Sequence, residues 1–341
     1  MPNSAAVQTA IDNQEMGKPY ISYIEDEHRI DWNTAEEKKD YASMYLTFEI
    51  ISGGTMYFKN TQATSTGSTS KRIIYISKDS GVTWDAIDNL KTGGTNQFRV
   101  NAGDKVILKG TNNNYGSTSK YYTTSFSGST AVFNVYGNIM SLLYGDNFSG
   151  QTTLVSLYTF TYLFSCCPGL ISSENLVLPA TTLQPSAYYH MFEDCTGLVA
   201  VPKKLPATTL VKLCYAGMFT RCTSLSAVPH DMLATITGSG LDTNRPYSTM
   251  FLGCTSLVAG PDLLSETIYS SSSNPATYYC MFSGCTSLNY VKCLATGNTI
   301  EQVGWLAGVS PTGTFVKHPD ASWTSGVNGI PEGWTVETAY N

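Results

Sequence analysis

Five cysteines recur at one position of a repeated pattern and are the first candidates for chemistry. They are Cys167, Cys195, Cys222, Cys254 and Cys285, each three residues after a phenylalanine. Thiols in a column could hold a metal ion or pass electrons, whereas the alternative is a small apolar side chain that fits a tight turn. None of the nine cysteines of the chain forms a Cys-x-x-Cys pair. We therefore favour packing, and the sequence predicts no metal site and no cofactor.

The other residue types that commonly catalyse reactions show no catalytic arrangement. Four histidines, His28, His190, His230 and His318, are scattered without metal-ligand spacing, and no Gly-x-Ser-x-Gly motif accompanies them. The adjacent carboxylates Glu193 and Asp194 are interpreted as solvated charges of a turn. The stretch Ser77–Trp84 fits the Asp-box pattern of sialidases, in which the box is a hairpin turn outside the catalytic site. The sequence predicts no enzymatic activity.

The cysteines belong to five repeats, and each repeat contains an apolar residue directly followed by phenylalanine. The phenylalanines are 28, 27, 32 and 31 residues apart, a spacing typical of stacked repeats. An aromatic residue lies four positions before each phenylalanine and a leucine six positions after it. The offsets −4, −1, 0 and +3 match the apolar face of two helical turns, so we expect a short buried helix in each repeat.

The repeat pattern predicts a set of core residues and leaves two exposed candidates for ligand contact. The predicted core is Phe164, Cys167, Leu170, Tyr188, Phe192, Cys195, Leu198, Tyr215, Phe219, Cys222, Leu225, Tyr247, Phe251, Cys254, Leu257, Tyr278, Phe282, Cys285 and Leu288. In the pairs Tyr188-Tyr189 and Tyr278-Tyr279 the first tyrosine belongs to that core. Tyr189 and Tyr279 then remain to stack on a sugar or another ligand.

The rest of the chain predicts several domains, because 341 residues are long for one core. Short β-type runs between Tyr45 and Tyr136 are separated by Gly, Asn and Ser, which suggests an antiparallel sandwich or barrel. The expected fold class is an N-terminal all-β domain followed by an α/β leucine-rich-repeat-type solenoid with a C-terminal cap. The predicted parts are a tail or docking segment (1–19), a β-hairpin (20–40), a sandwich-like domain (41–137), the solenoid (138–293) and the cap (294–341).

Composition narrows the set of partners. The net charge is −6 with 20 basic residues and no run of Lys or Arg, which disfavours nucleic acid. No apolar window approaches the length of a membrane span, and the polar stretch Met1–Lys18 does not resemble the apolar region of a signal peptide. We therefore expect no membrane insertion and no export by a signal peptide.

The repeat motif, aromatic-x-x-Met-Phe-x-x-Cys-Thr-Ser-Leu with an intervening Leu-Pro-Ala-Thr-Thr-Leu, resembles the BspA-like leucine-rich repeat proteins of gut bacteria and their phages, including crAss-like phages. The resemblance covers about residues 157–293. It implies a surface that binds a ligand, since members are known mainly as surface adhesins or phage-encoded proteins. The expected absence of an export signal favours a structural or attachment protein of a virion, such as a fibre or a capsid decoration protein.

In that interpretation other virion proteins bind the N-terminal segment, and the repeats bind a glycan or protein of the host surface or the gut. Fibres and decoration proteins are usually oligomers, which favours a homo-oligomer by analogy. The alternative is a bacterial cell-surface adhesin with BspA-like repeats, located on the cell surface instead of the virion.

Overall fold

The computed structural model describes most of the chain from residue 39 onward. The described residues are 39–60, 72–88, 96–111, 124–236, 245–265, 268, 277–300 and 302–339. The predicted docking segment (1–19) and all but the last two residues of the predicted hairpin (20–40) lie outside them. Residues 40–341 make up one compact unit.

Between residues 46 and 138 the described segments form nine strands, because apolar and polar residues alternate there. They are β1 (Leu46–Ser52), β2 (Gly54–Tyr57), β3 (Lys59–Asn60), β4 (Ile73–Ser77), β5 (Asp85–Asp88), β6 (Gln97–Val100), β7 (Lys105–Gly110), β8 (Thr124–Ser125) and β9 (Val132–Asn138). In β7, for example, buried Val106 and Leu108 alternate with the more exposed Lys105 and Ile107. Side chains of a strand point to opposite faces in turn, so one face of β7 is covered by the core.

The largest sheet includes two strands of the repeat region, β10 (Leu170–Ser172) and β11 (Leu176–Val177). Its order is β10-β9-β1-β7-β4-β5, with β11 also paired to β9. The strands β9, β1, β7, β4 and β5 are antiparallel to their neighbours, whereas β10 and β11 run parallel to β9. The sheet therefore continues across the predicted boundary between residues 137 and 138. Two separate two-stranded ladders pair β2 with β6 and β3 with β8.

Aromatic residues link this sheet to the first repeat. Phe48 lies in the middle of β1, with its ring centroid 4.9 Å from that of Phe126 and 5.2 Å from that of Phe133. The ring of Phe126 is in turn stacked 5.6 Å from that of Phe164, the first repeat phenylalanine. Gly169 makes the approach possible, because a Cβ there would lie 2.2 Å from the carbonyl oxygen of Ala131. The first repeat is thus packed directly on the sheet.

The prediction of an α/β leucine-rich-repeat-type solenoid was wrong. Among the described residues the single α-helix is α1, Ser141–Tyr144, and the other helical pieces are 3₁₀ turns at Tyr41–Ser43 and Gly145–Asn147. The structure is mostly β-sheet, and its strands form separate sheets that do not build a solenoid. Turns occupy the segments where we expected a helix in each repeat. No described helix has the length and apolarity needed to cross a membrane.

The expected helices are absent because alternate amides of each repeat donate in different directions. The amide of Met191 donates to the carbonyl of Tyr188 in its own repeat, at 3.2 Å, and that of Phe192 donates to Met218 in the next repeat, at 2.9 Å. An α-helix would satisfy its interior amides within the segment. The same apolar spacing is compatible with both arrangements, so the spacing alone did not identify the hydrogen-bond partners.

Amides that donate alternately within a repeat and to the next repeat require unusual backbone angles. Among the described residues of the repeats, twelve that are not glycine have a positive φ: Tyr158, Phe160, Tyr162, Cys166, Ser186, His190, Asp194, Leu213, Arg221, Arg245, Thr249 and Cys280. Left-handed conformations cost free energy for residues with a Cβ. The hydrogen bonds between neighbouring repeats and the buried side chains must offset that cost.

The last part of the chain adds strands β12 (Tyr290–Cys293), β13 (Gly297–Ile300), β14 (Thr314–Lys317), β15 (Ala321–Trp323) and β16 (Thr335–Thr338). The order β12-β14-β16 forms a parallel sheet, and β13 pairs in parallel with β15. Trp305 is fully buried here, with its ring 6.0 Å from that of Tyr278 and 5.0 Å from that of Trp323. These contacts continue the aromatic packing of the repeats into the predicted cap (294–341).

A candidate ligand-binding strip on the repeats

The predicted core residues lie in columns that run from repeat to repeat. All nineteen are buried, with exposures of 3% or less. From Phe164 to Phe282 the phenylalanine rings are stacked at centroid distances of 5.4 to 5.6 Å. The tyrosines from Tyr188 to Tyr278 form a second column, at 5.7 to 6.1 Å. These residues pack the interior and present no surface to a ligand.

Each repeat cysteine has a hydrogen-bond role that the sequence did not show. The thiol of Cys195 donates to the carbonyl of Phe164 at 3.0 Å, and the thiol of Cys222 donates to that of Phe192 at 3.1 Å. Cys254 and Cys285 repeat the contact with Phe219 and Phe251, and Cys167 makes it with Phe126. A small apolar residue without a donor would leave this bond unmade.

Burial also makes these thiols poor ligands and poor nucleophiles. It raises the pKa of Cys167 and of Cys254 to about 12 and that of Cys222 well above its usual value. The thiolate is the form that binds metals and attacks electrophiles. Across the described residues, no three His, Cys, Asp or Glu side chains form a group that could hold a metal ion.

The side chains two positions before and two after each phenylalanine lie outside the columns. Cys166, Asp194 and Arg221 occupy the later position in the first three repeats, and each has a positive φ between 53° and 59°. The three side chains are partly or fully exposed. Because their amides donate to the next repeat, the backbone holds these side chains at one edge. We call six residues around this edge the outer strip: Tyr162, Tyr189, His190, Glu193, Asp194 and Arg221.

An ion-pair cluster forms one half of the outer strip. Arg221 Nε lies 2.6 Å from Asp194 Oδ1, and Arg221 Nη2 lies 2.7 Å from both Asp194 Oδ2 and Glu193 Oε1. These hydrogen bonds, those to Asp194 first, raise the pKa of the guanidinium above its usual value. The interpretation of Glu193 and Asp194 as solvated charges was therefore wrong, because both carboxylates bind one arginine of the next repeat.

Three aromatic rings form the other half. The ring centroid of His190 lies 4.1 Å from that of Tyr189 and 5.3 Å from that of Tyr162, and the two tyrosine rings are 5.7 Å apart. His190 Nδ1 is 3.0 Å from Glu193 Oε2 but lacks the geometry of a hydrogen bond. The imidazole thus joins the aromatic half to the ionic half.

Gly217 provides the space for the His190 ring. A Cβ at Gly217 would lie 2.4 Å from two atoms of the imidazole, and the φ of 64° also favours glycine there. Because Gly217 occupies the same repeat position as His190, two residues before phenylalanine, the imidazole of one repeat covers the glycine of the next. A substitution at 217 would therefore displace His190.

The two tyrosines predicted as ligand contacts are in different surroundings and are not brought together. Tyr189 belongs to the outer strip. Tyr279 has the guanidinium of Arg245 over its ring, with the Cζ atom 4.1 Å from the centroid. A ligand that stacks on this face of Tyr279 must displace the arginine, so Tyr189 is the better candidate of the two.

The Asp-box segment is a turn whose polar groups satisfy one another. The carboxylate of Asp79 accepts hydrogen bonds from Ser77 Oγ at 2.6 Å, from Thr83 Oγ1 at 2.6 Å and from the Thr83 amide at 2.9 Å. These bonds hold the pKa of Asp79 well below its usual value. The indole of Trp84 donates to the Gly81 carbonyl at 3.0 Å. The carboxylate is thus used within the turn.

Sequence reasoning missed Glu193, Asp194, Arg221, Tyr162 and His190 as possible binding residues. The one signal in the sequence was that Asp194 and Arg221 share the position two residues after the repeat phenylalanine. Comparisons of this chain with protein-family models, with curated proteins and with solved structures found no match. The candidate site therefore depends on the geometry described above.

Proposed function

We propose that this chain is a non-enzymatic structural and attachment protein whose outer strip binds a glycan. The observation that carries the proposal is the close grouping of Tyr162, Tyr189 and His190 beside the Arg221 ion-pair cluster. Tyrosine combines a large apolar face with a polar hydroxyl, so it contacts ligands that are partly apolar and partly polar. A sugar ring has both kinds of surface.

The charged half of the strip supports the same ligand class. Carboxylate oxygens accept and guanidinium N–H groups donate hydrogen bonds, and sugar hydroxyls can do both. Arg221 is already oriented by Glu193 and Asp194, so its side chain loses less freedom when a ligand is bound than an unpaired arginine would. Binding sites typically combine aromatic surface with a few placed polar groups, as this strip does.

We further propose that the protein is carried on a phage virion, as a fibre or capsid decoration protein. The support for this location is the resemblance of the repeat motif to BspA-like proteins, several of which are encoded by phages. Mass spectrometry of purified particles tests it. We expect peptides of this chain in amounts comparable to those of other minor structural proteins, and their absence from infectious particles would overturn the proposed location.

The binding proposal is tested with the purified full chain on an array of host-cell and mucin-type glycans, followed by calorimetry on the best ligand. We expect Tyr189→Ala to weaken binding at least tenfold, because it removes one of the two tyrosine rings of the aromatic half. Tyr279→Ala is the matched control, since Tyr279 occupies the same repeat position outside the strip. Equal binding by the wild type and Tyr189→Ala would refute the strip as the site.

A further inference from the structure

The parallel sheet β12-β14-β16 ends at β16 with one side unpaired within the described residues. The amides of Thr335 and Ala339 donate to the carbonyls of Gly313 and Lys317 on the β14 side. Alternate residues of a strand direct their amides to the same side, so Val336 and Thr338 direct theirs away from β14. An exposed edge of this kind can pair with a further strand.

Burial decreases from strand to strand toward this edge. In β12 and β14 the apolar residues Val291, Phe315 and Val316 are buried. In β16, by contrast, Val336 is 47% exposed. The nearby Val327 is 63% exposed. The last strand therefore exposes apolar side-chain surface to solvent, whereas the equivalent residues of the earlier strands are buried.

A tryptophan beside this edge has an unused hydrogen-bond donor. The indole of Trp305 donates to the carbonyl of Gly329 at 2.8 Å, and that of Trp334 donates to Ser310 at 2.8 Å. The indole Nε1 of Trp323, stacked on Trp305, is buried and has no acceptor among the described residues. A buried donor without a partner is uncommon and costs free energy.

Trp323 also lines a hollow at the same end of the molecule. The hollow encloses about 270 Å³, and its walls include Trp323, Ile330, Trp334 and Val336. A volume of this size accommodates one or two apolar side chains. Val336 of the edge strand and Trp323 thus line the same hollow.

The hollow and the strands at this end carry acidic side chains. Glu332 lines the hollow, Glu337 lies in β16, and Asp320, which directly precedes β15, has a side chain that is 86% exposed. The nearby Lys317 already donates to the carbonyls of His318, Pro319 and Ala321. A basic occupant is therefore favoured over an acidic one.

We propose that this end binds an extended, basic segment of a partner protein, which pairs with β16 as the next strand. One apolar side chain of the segment fills the hollow on the Val336 face, a backbone carbonyl accepts from Trp323 Nε1, and Lys or Arg side chains lie on the opposite face beside Glu337. A second copy fits less well, because pairing β16 with its own copy would bring two Glu337 side chains to one edge. Residues 1–38 also fit less well, since they carry eight acidic and three basic side chains.

This inference does not depend on the outer strip or on glycan binding. It is tested by fluorescence anisotropy of the full chain with a labelled eight-residue peptide of alternating Val and Lys. The matched peptide of alternating Val and Glu is the charge control. We expect the Val/Lys peptide to bind at least tenfold more tightly than the Val/Glu peptide, with the difference reduced at high salt.

A pair of variants at Val336 and one variant of Trp323 test the geometry. Val336→Pro removes the outward amide of β16 and should weaken peptide binding at least tenfold, whereas Val336→Thr keeps the amide and should stay within threefold of the wild type.

Trp323→Phe removes the indole donor and should weaken peptide binding about fivefold. An unchanged melting temperature of this variant would show that the fold is intact. Equal binding of both peptides, or full binding by Val336→Pro, would overturn the proposal. So would self-association of the wild-type chain that Val336→Pro abolishes, because the occupant would then be a second copy.

Discussion

The inner columns and the outer strip consist of residues of the same repeats in opposite surroundings, one buried and one at the surface. In the columns, nearly the same residue types recur from Phe164 to Phe282, and every side chain is buried. At the edge that carries the strip, the residues two positions after phenylalanine change from Cys166 to Asp194 to Arg221. The columns require repetition, because each ring stacks on its equivalent, whereas the binding that we propose for the strip requires differences between repeats.

The largest effect should come from high pH, because it acts on the whole cysteine column. Burial raises the pKa of Cys167, Cys254 and Cys293 to about 12, while the unfolded thiol titrates near 8.5. The stabilisation is fully present below about pH 8.5 and is lost as the pH rises toward 12, because the unfolded chain releases its thiol protons first. Each thiol should contribute a loss of about 1.4 kcal/mol per pH unit in that window.

Urea unfolding at pH 7, 8, 9 and 10 measures this loss. The unfolding free energy should be nearly constant between pH 7 and 8 and should fall steeply above pH 9. The variant Cys166→Ser is the control: this exposed thiol lies outside the column, so the steep fall above pH 9 should persist without it. A stability that stays level up to pH 10 would show that the column is accessible to water.

Truncation of one column residue should have the next largest effect. Phe219 is fully buried and stacked between Phe192 and Phe251. Phe219→Ala should lower the free energy of unfolding by about 3–5 kcal/mol, because it leaves a cavity in the middle of the column. Urea denaturation followed by circular dichroism measures it, and a loss below about 1 kcal/mol would contradict the burial of this ring.

A buried and an exposed cysteine of the repeats form a matched pair of positions for a smaller effect. Cys222→Ala removes a buried donor to the Phe192 carbonyl, which should cost about 1 kcal/mol. Cys166→Ala, at an exposed position, should change stability by less than about 0.5 kcal/mol. Thermal melting of the two variants distinguishes them, and equal losses would mean that the thiol bond does not contribute.

The ion-pair cluster should also contribute little to stability. Arg221 is about half exposed, so Arg221→Ala should cost at most about 1 kcal/mol, and less at high salt. Its effect on ligand affinity should be larger, since Glu193 and Asp194 would lose their common partner. Calorimetry and thermal melting of the same sample compare the two. A large loss of stability with unchanged affinity would reverse the assignment of roles.

Sequence reasoning located the buried residues of the repeats more readily than their backbone conformation. The offsets −4, −1, 0 and +3 are the same whether the amides bond within a helix or alternate between neighbouring repeats, so Met191 and Phe192 were expected in a helix that does not form. The alternation of apolar residues in β7 is less ambiguous, because a period of two residues is typical of a half-buried strand and does not fit a helix.

The outer strip was harder to predict, because its contacts join different repeats. Asp194 and Arg221 are 27 residues apart, and their meeting depends on how neighbouring repeats align. His190 needs the absence of a side chain at Gly217, a relation that neither residue reveals alone. The acceptor of the cysteine thiols is a backbone carbonyl, which no side-chain pattern indicates.

The claim that the columns and not the strip hold the repeats together is tested most directly by hydrogen exchange with mass spectrometry on Phe219→Ala and Arg221→Ala. Phe192 and Asp194 donate to the repeat of Phe219, which in turn donates to the repeat of Met250. Phe219→Ala should therefore speed exchange in three repeats, about residues 186–195, 213–222 and 247–254, whereas Arg221→Ala should leave all three within twofold of the wild type. Equal acceleration by both variants, or an effect of Phe219→Ala confined to its own repeat, would contradict the account.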